Sequence, residues 1–274
     1  MGAETPGTLL QAVSELARLT GEVAASYARP GIAVDTKGDG SPVTIADREA
    51  ERFARAWIAE RFPHDAIVGE EFGVTPARGG AAIEASALSA RGAGGAARQW
   101  ILDPIDGTKS FVRGVPLWGT LIAVMEGPDV IAGAAAFPAT HELVAAARGE
   151  GAWWNGARCA VSSVGSLAEA TVLSTGTAFE PGDPRRARWD ALGDRAGIVR
   201  TWGDCFGYLM VATGRAEVMM DPRLNVWDAA SVQVIVEEAG GTFMDWNGVR
   251  TPEGLGGIAV NAALAAEVRA ALVG

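Results

Sequence analysis

One stretch, Trp100-Ile101-Leu102-Asp103-Pro104-Ile105-Asp106-Gly107-Thr108-Lys109-Ser110-Phe111, constrains this chain more than any other. An apolar run collides there with two carboxylates, a proline and a glycine. Ile101 and Leu102 read as the end of a buried strand. Pro104 bars helical continuation and biases Asp103 toward extended backbone, which puts Asp103 at the strand's carboxyl edge. Asp106 then opens a turn, Gly107 takes backbone angles closed to other residues, and Thr108 follows in the first turn of a short helix. Carboxylates three residues apart repel unless a cation lies between them, whereas helix N-terminal amides favour an anion. A divalent metal bridging to a phosphate satisfies both. The competing reading of a bare D-x-x-D is an Asp-rich turn with a helix cap and no ligand.

Composition narrows the partner. The formal charge of −10 argues against nucleic acid, which needs clustered Lys and Arg. With only His64 and His141 present, carboxylates must carry any acid–base or metal chemistry. Cys159 and Cys205 are too few for a disulfide framework and have no zinc-ligand spacing, so both read as reduced thiols. No run of eighteen apolar residues appears, and the opening MGAETPGTLL has neither the basic start nor the apolar core of a signal peptide. No membrane partner and cytoplasmic residence are the expectations. At 49% hydrophobic residues the core is ample for one large unit or two smaller ones sharing a site.

The N-terminal half begins with helical spacing from about Pro6 to Arg29 and a polar, glycine-rich loop, residues 34–42, that contains Lys37. A second helix ends near Phe62, with Thr44 as N-cap candidate. Asp47 falls in its first turn, where complementing the helix dipole is reason enough for a carboxylate. Ala66–Val68 reads as a short strand ending in Glu70 and Glu71; strand alternation lets only one of the two face a site, and both would serve equally as solvated loop acids. From Thr75 to Arg98, 14 of 24 residues are Ala or Gly, which reads as a poorly ordered insertion, with a lid as the alternative. Three β-rich segments follow, 121–125, 130–137 and 142–147, expected to pair antiparallel. Asn155-Gly156 marks a hairpin, with Trp153 and Trp154 assigned to packing.

The C-terminal half alternates strands (171–174, 198–201, 216–220, 242–244, 257–260) with helices (184–196, 205–213, 228–239 and from 262), the pattern of layered α/β architecture. Asp228 opens one of these helices, where its charge alone also suits it.

Taken together and in order, VTIADREAE, GEE, DPIDGTKSF and WDAA followed by EEAGG resemble the signatures of the inositol monophosphatase family, magnesium-dependent phosphatases of small phosphate monoesters. The resemblance covers nearly the whole chain. It implies a five-layer αβαβα sandwich of the inositol monophosphatase / fructose-1,6-bisphosphatase type. This would be a single catalytic unit over 1–274, with an antiparallel-rich part at about 1–148, an α/β part at 149–274, and the site in the cleft between. It implies a homodimer and a small phosphorylated metabolite as substrate. Carried over by motif, Glu70, Asp103, the Ile105 carbonyl, Asp106 and Asp228 would bind on the order of two or three Mg2+ ions. Asp47 and Thr108, with Glu70, would ready a water for in-line attack, amides near Gly107 and Thr108 would hold the phosphoryl group, and Lys37 matches a loop that approaches the site.

Inositol monophosphate, fructose 1,6-bisphosphate, 3′-phosphoadenosine 5′-phosphate and histidinol phosphate are all substrates compatible with that family. The string TWGDCFGY, residues 201–208, and the later AEVMMDP, residues 216–222, are similar to the histidinol-phosphate phosphatase branch. The resemblance therefore implies recognition by Asp204, supported by Gly203, Asp221, Arg200 and Asp228, with inositol-1-monophosphatase activity as the alternative and a non-catalytic metal-binding regulator as a distant one. Asp204 also suits a helix cap.

Overall fold

The computed structural model describes residues 4–29, 31–38, 40–77, 98–176, 179–254 and 256–273. Most of the Ala/Gly-rich insertion therefore lies outside the described residues. Helix α1 (Pro6–Ser26) starts where Thr5 accepts a hydrogen bond from the Thr8 amide and Pro6 supplies a preset first turn. It ends three residues before Arg29, because the Tyr27 amide turns back to the Ala24 carbonyl. Strands β1 (Val34–Thr36) and β2 (Pro42–Thr44) form a small antiparallel ribbon leading into α2 (Ile45–Arg61).

Strands β3 (Ala66–Gly69), β4 (Gly73–Thr75), β5 (Arg98–Asp106), β6 (Gly119–Glu126), β7 (Asp129–Phe137), β8 (Glu142–Ala147), β9 (Gly151–Trp154) and β10 (Ala157–Arg158) form one sheet in the order β10-β9-β8-β7-β6-β5-β3-β4. The expected antiparallel meander is its centre, and only β3 and β5 are parallel. The β9–β10 hairpin turns through Asn155 at φ 48° and Gly156 at φ 80°, the left-handed pair that Asn-Gly favours. Trp153 and Trp154 are packing residues: Arg158 stacks on the first, and Arg215 on the second.

One boundary differs. Strand β5 does not stop at Leu102 but runs through Pro104 to Asp106. A bulge makes this tolerable: Asp103 pairs with Leu121 and Asp106 with Gly119, three residues against two. Pro104, which has no N–H to donate, sits inside the bulge and accepts from Thr120 Oγ1 at 2.8 Å.

The second sheet holds β11 (Thr171–Ser174), β12 (Ile198–Arg200), β13 (Val218–Asp221), β14 (Thr242–Met244) and β15 (Gly257–Val260), ordered β12-β11-β13-β15-β14. Its β11 pairs parallel with β12 and β13, while β15 runs antiparallel between β13 and β14. Five layers result. Helices α1 and α2 cover one face of the first sheet through Leu16, Trp57, Trp100 and Ile122. Helices α5 (Asp204–Ala212) and α6 (Val226–Glu238) lie between the sheets around Phe137, Tyr208, Ile235 and Phe243. Helices α4 (Pro184–Gly193) and α7 (Ala265–Leu272) close the outer face over Val172, Trp189 and Val268. Close approach of α6 to β7 depends on Gly133, where a Cβ would fall 2.8 Å from Val234 and 2.9 Å from the Ser231 backbone. Among the described residues no helix is long and apolar enough to cross a membrane.

Candidate active site

Asp103 and Asp106 leave the bulged end of β5, and Asp228 enters from the first turn of α6. One carboxylate oxygen of each lies within 4.8 Å of the others. Glu70 and Asp228 both act electrostatically on Asp103, so the four acids converge. Burial first, then the neighbouring carboxylates, push Asp103 and Asp106 well above the ordinary carboxylate range. Burial raises Asp228 to about 6, with the Glu70 charge adding to it and the Asn225 amide opposing. Such a cluster is held together against its own repulsion, and an all-oxygen donor set of this charge fits a hard divalent cation.

Glu70 and Glu71 both face Lys37, whose Nζ lies 2.7 Å from Glu70 Oε1 and 2.5 Å from Glu71 Oε1. The alternation expected of a strand does not apply, because β3 ends at Gly69 and the two glutamates sit in the following turn. Burial works against the Lys37 ammonium, but the two carboxylates outweigh it and keep it charged; burial also raises Glu71 to about 7. The turn itself rests on Glu51, fully buried on α2, which accepts from the Glu71 amide at 2.7 Å and the Phe72 amide at 3.1 Å. Glu51 was not among the expected site residues. Its signal was present, since Asp47, Glu51 and Arg55 share one helix face at i, i+4 spacing.

Asp47 belongs to a capping box: its Oδ2 accepts from the Thr44 amide at 2.8 Å and the Thr44 hydroxyl at 2.7 Å. That leaves Oδ1 facing Thr108 Oγ1 at 3.4 Å. The Thr108 hydroxyl lies nearer the Ile105 carbonyl, at 3.0 Å, and its single proton goes there; the carbonyl keeps a second lone pair. Burial raises Asp47, with the Thr44 bonds opposing. Gly107 caps α3 (Thr108–Val112) at φ 85°, and a Cβ there would lie 2.9 Å from the Leu117 carbonyl and 3.2 Å from Asp204 Oδ2. Only glycine fits.

Asp204 thus lies over the β5–α3 turn. With its own φ at 51°, rare for a residue with a side chain, Asp204 opens α5, and burial raises it to about 6 against the opposing charge of Lys109. The next amide, Cys205 N–H, donates to Asp106 Oδ2 at 2.5 Å. Asp221 is not open to the site: it is buried and accepts from the Tyr208 hydroxyl at 3.0 Å. Arg200 is not brought into the cluster either. It is exposed on β12, and its guanidinium bonds the Val199 carbonyl. Both cysteines are free thiols; Cys205 is buried, and burial with the Asp106 charge pushes it well up.

The model of the inositol monophosphatase family matches residues 6–273. A histidinol-phosphatase from Chlorobaculum parvum is 40% identical over 265 residues, covering 96% of each chain. Another from Mycobacterium tuberculosis is 39% identical over 240 residues, covering 86% of each. Among solved structures, an inositol monophosphatase from Zymomonas mobilis superposes with a TM-score of 0.81 at 26% identity, covering 98% of this chain and 99% of that one. A family match over nearly every residue, on a fold that brings Asp103, Asp106 and Asp228 within 4.8 Å of one another with Glu70 as a neighbour, leaves a single assignment: the chain belongs to the inositol monophosphatase family.

Proposed function

We propose that this protein is a Mg2+-dependent phosphomonoesterase that hydrolyses L-histidinol phosphate to L-histidinol and phosphate, a step of histidine biosynthesis. Glu70, Asp103, the Ile105 carbonyl, Asp106 and Asp228 would hold the metal. Bound there, Mg2+ supplies positive charge for the phosphate oxygens and acidifies water. Asp47 Oδ1 is the oxygen left free by the capping box, and it accepts the proton of the attacking water while Thr108 orients it. The amides at Gly107 and Thr108 donate to the phosphoryl group. Neither cysteine competes as nucleophile, because burial raises both thiols and suppresses the thiolate. Homodimeric assembly and cytoplasmic residence belong to the same reading; light scattering checks the first.

The observation that carries the substrate is Asp204 Oδ2 at 3.2 Å from the position of a Gly107 Cβ, beside the turn that would hold the phosphate. A carboxylate there suits a phosphate monoester with a cationic, N–H-donating tail and gains little from neutral hydroxyls. A hydrogen bond to a charged group is worth about 1.5–3 kcal/mol, so Asp204→Ala should lower kcat/KM for L-histidinol phosphate roughly ten- to a hundredfold. Inositol 1-phosphate should lose far less. A wild type that prefers inositol 1-phosphate would sink the substrate assignment, and an Asp204→Asn variant with unaltered preference would sink the role of Asp204.

A further inference from the structure

Asp204 does not hold its position by itself. Its φ of 51° lies in the left-handed region, which an Asp enters at a cost, so something outside the residue must fix it. Two bonds do. On the far side of the turn the Cys205 amide is tied to Asp106, and on the near side the Asp204 amide donates to Thr175 Oγ1 at 2.8 Å. Thr175 stands just past the end of β11, and the backbones meet there: a Cβ on Gly203 would fall 2.1 Å from Thr175 Cα.

The direction of the Asp204–Thr175 bond is forced. An amide can only donate, so the Thr175 hydroxyl accepts from Asp204; Asp221, which accepts from Tyr208, stands close enough for Thr175 to lower it. Thr175 is thereby a strut, and Asp204 the group the strut supports. We propose that Thr175 is a positioning residue for substrate discrimination, its hydroxyl setting where the Asp204 carboxylate stands relative to the β5–α3 turn. The inference rests on Asp204 being the recognition group for the cationic tail. The Cys205–Asp106 bond does not involve Thr175, so loss of the hydroxyl releases Asp204 while leaving the carboxylate cluster tied.

The test uses the full chain with Mg2+ and compares kcat and KM for L-histidinol phosphate and inositol 1-phosphate in wild type, Thr175→Val, Thr175→Ser and Asp204→Asn. Thr175→Val keeps the shape and removes the acceptor of the Asp204 amide. It should raise KM for L-histidinol phosphate about five- to tenfold, the scale of a lost neutral hydrogen bond, with inositol 1-phosphate within about twofold. Thr175→Ser should restore the wild-type preference. Should the valine variant not fold, Thr175→Ala gives the same comparison. Equal losses on both substrates, or none on either, while Asp204→Asn abolishes the preference, overturns the role of Thr175 alone. An unchanged preference in Asp204→Asn overturns the recognition reading, and this proposal with it.

Discussion

The Cys205 amide donates to Asp106 Oδ2 across 2.5 Å, joining the start of α5 to the end of β5 and leaving Asp106 Oδ1 without that partner. One oxygen is thus committed to the fold, while the carboxylate as a whole lies in the cluster with Asp103 and Asp228. Asp106→Asn keeps an acceptor for the amide and loses the charge. The variant should fold with wild-type circular dichroism and lose at least about a hundredfold in kcat. Turnover near the wild-type level would remove Asp106 from the metal set.

Metal dependence is the expectation from the same cluster. Four acids converge, and among the described residues Lys37 is the one cation bonded to them, so a dication would gain both their charge and relief of their repulsion. Turnover should stop with chelator and return with Mg2+, and thermal unfolding should shift upward as Mg2+ is added, because a ligand of the native state stabilises it by mass action. Full activity after exhaustive chelation is the outcome that defeats the mechanism.

How much of this was legible in the sequence depended on how local the signal was. Asp103, Asp106, Gly107 and Thr108 could be placed because proline, glycine and a helix start act within a few residues. The continuation of β5 past Pro104 could not, since it follows from pairing with β6, and the bulge that admits the proline is visible only across the two strands. The same holds for Glu71, whose partners Glu51 and Lys37 lie 20 and 34 residues away. Asp221 shared a motif with the site but is turned inward by Tyr208, thirteen residues before it. Thr175 carried no signal at all, because a threonine after a strand is unremarkable until the left-handed Asp204 folds back onto it. Strand–helix alternation announced layers, but not that β15 would insert antiparallel between β13 and β14.

Glu51 has both oxygens engaged, by Arg55 Nε at 2.7 Å and by the two amides of the Glu70–Phe72 turn. Glu51→Ala strips acceptors from a guanidinium and two backbone N–H groups in a buried place and should cost about 3 kcal/mol of stability. Glu51→Gln keeps the shape and one acceptor oxygen. It should fold, while the Mg2+ concentration for half-maximal activity rises about tenfold, the usual scale for a residue that orients a metal ligand. Unchanged Mg2+ dependence in a folded Glu51→Gln would limit Glu51 to supporting the fold.

Asp221 makes stability depend on pH in a direction opposite to that of a salt-bridged acid. Burial, reinforced by the Asp204 charge and opposed by Thr175 and Tyr208, raises it to about 7. Its unfolded value is near the ordinary carboxylate value of about 3.9. Between those two values the folded chain holds a proton that the unfolded chain releases, so stability falls as pH rises through this window. Below about pH 4 both states are protonated and the penalty is absent; above about pH 7 it is complete. Discounting for relaxation around a buried acid, we expect a net loss of about 2 kcal/mol, or roughly 4–8 °C in Tm, between pH 5 and pH 8. Asp221→Asn removes the charge while its carbonyl still accepts from Tyr208, so its Tm should vary less over that range and exceed the wild-type value at pH 8. The comparison belongs in chelator, since the Asp103–Asp106–Asp228 cluster titrates in the same sense and metal would mask it. Because the cluster is common to both proteins, the difference between their curves isolates Asp221. Parallel curves for wild type and Asp221→Asn would show that Asp221 is already ionised in the folded chain at pH 5.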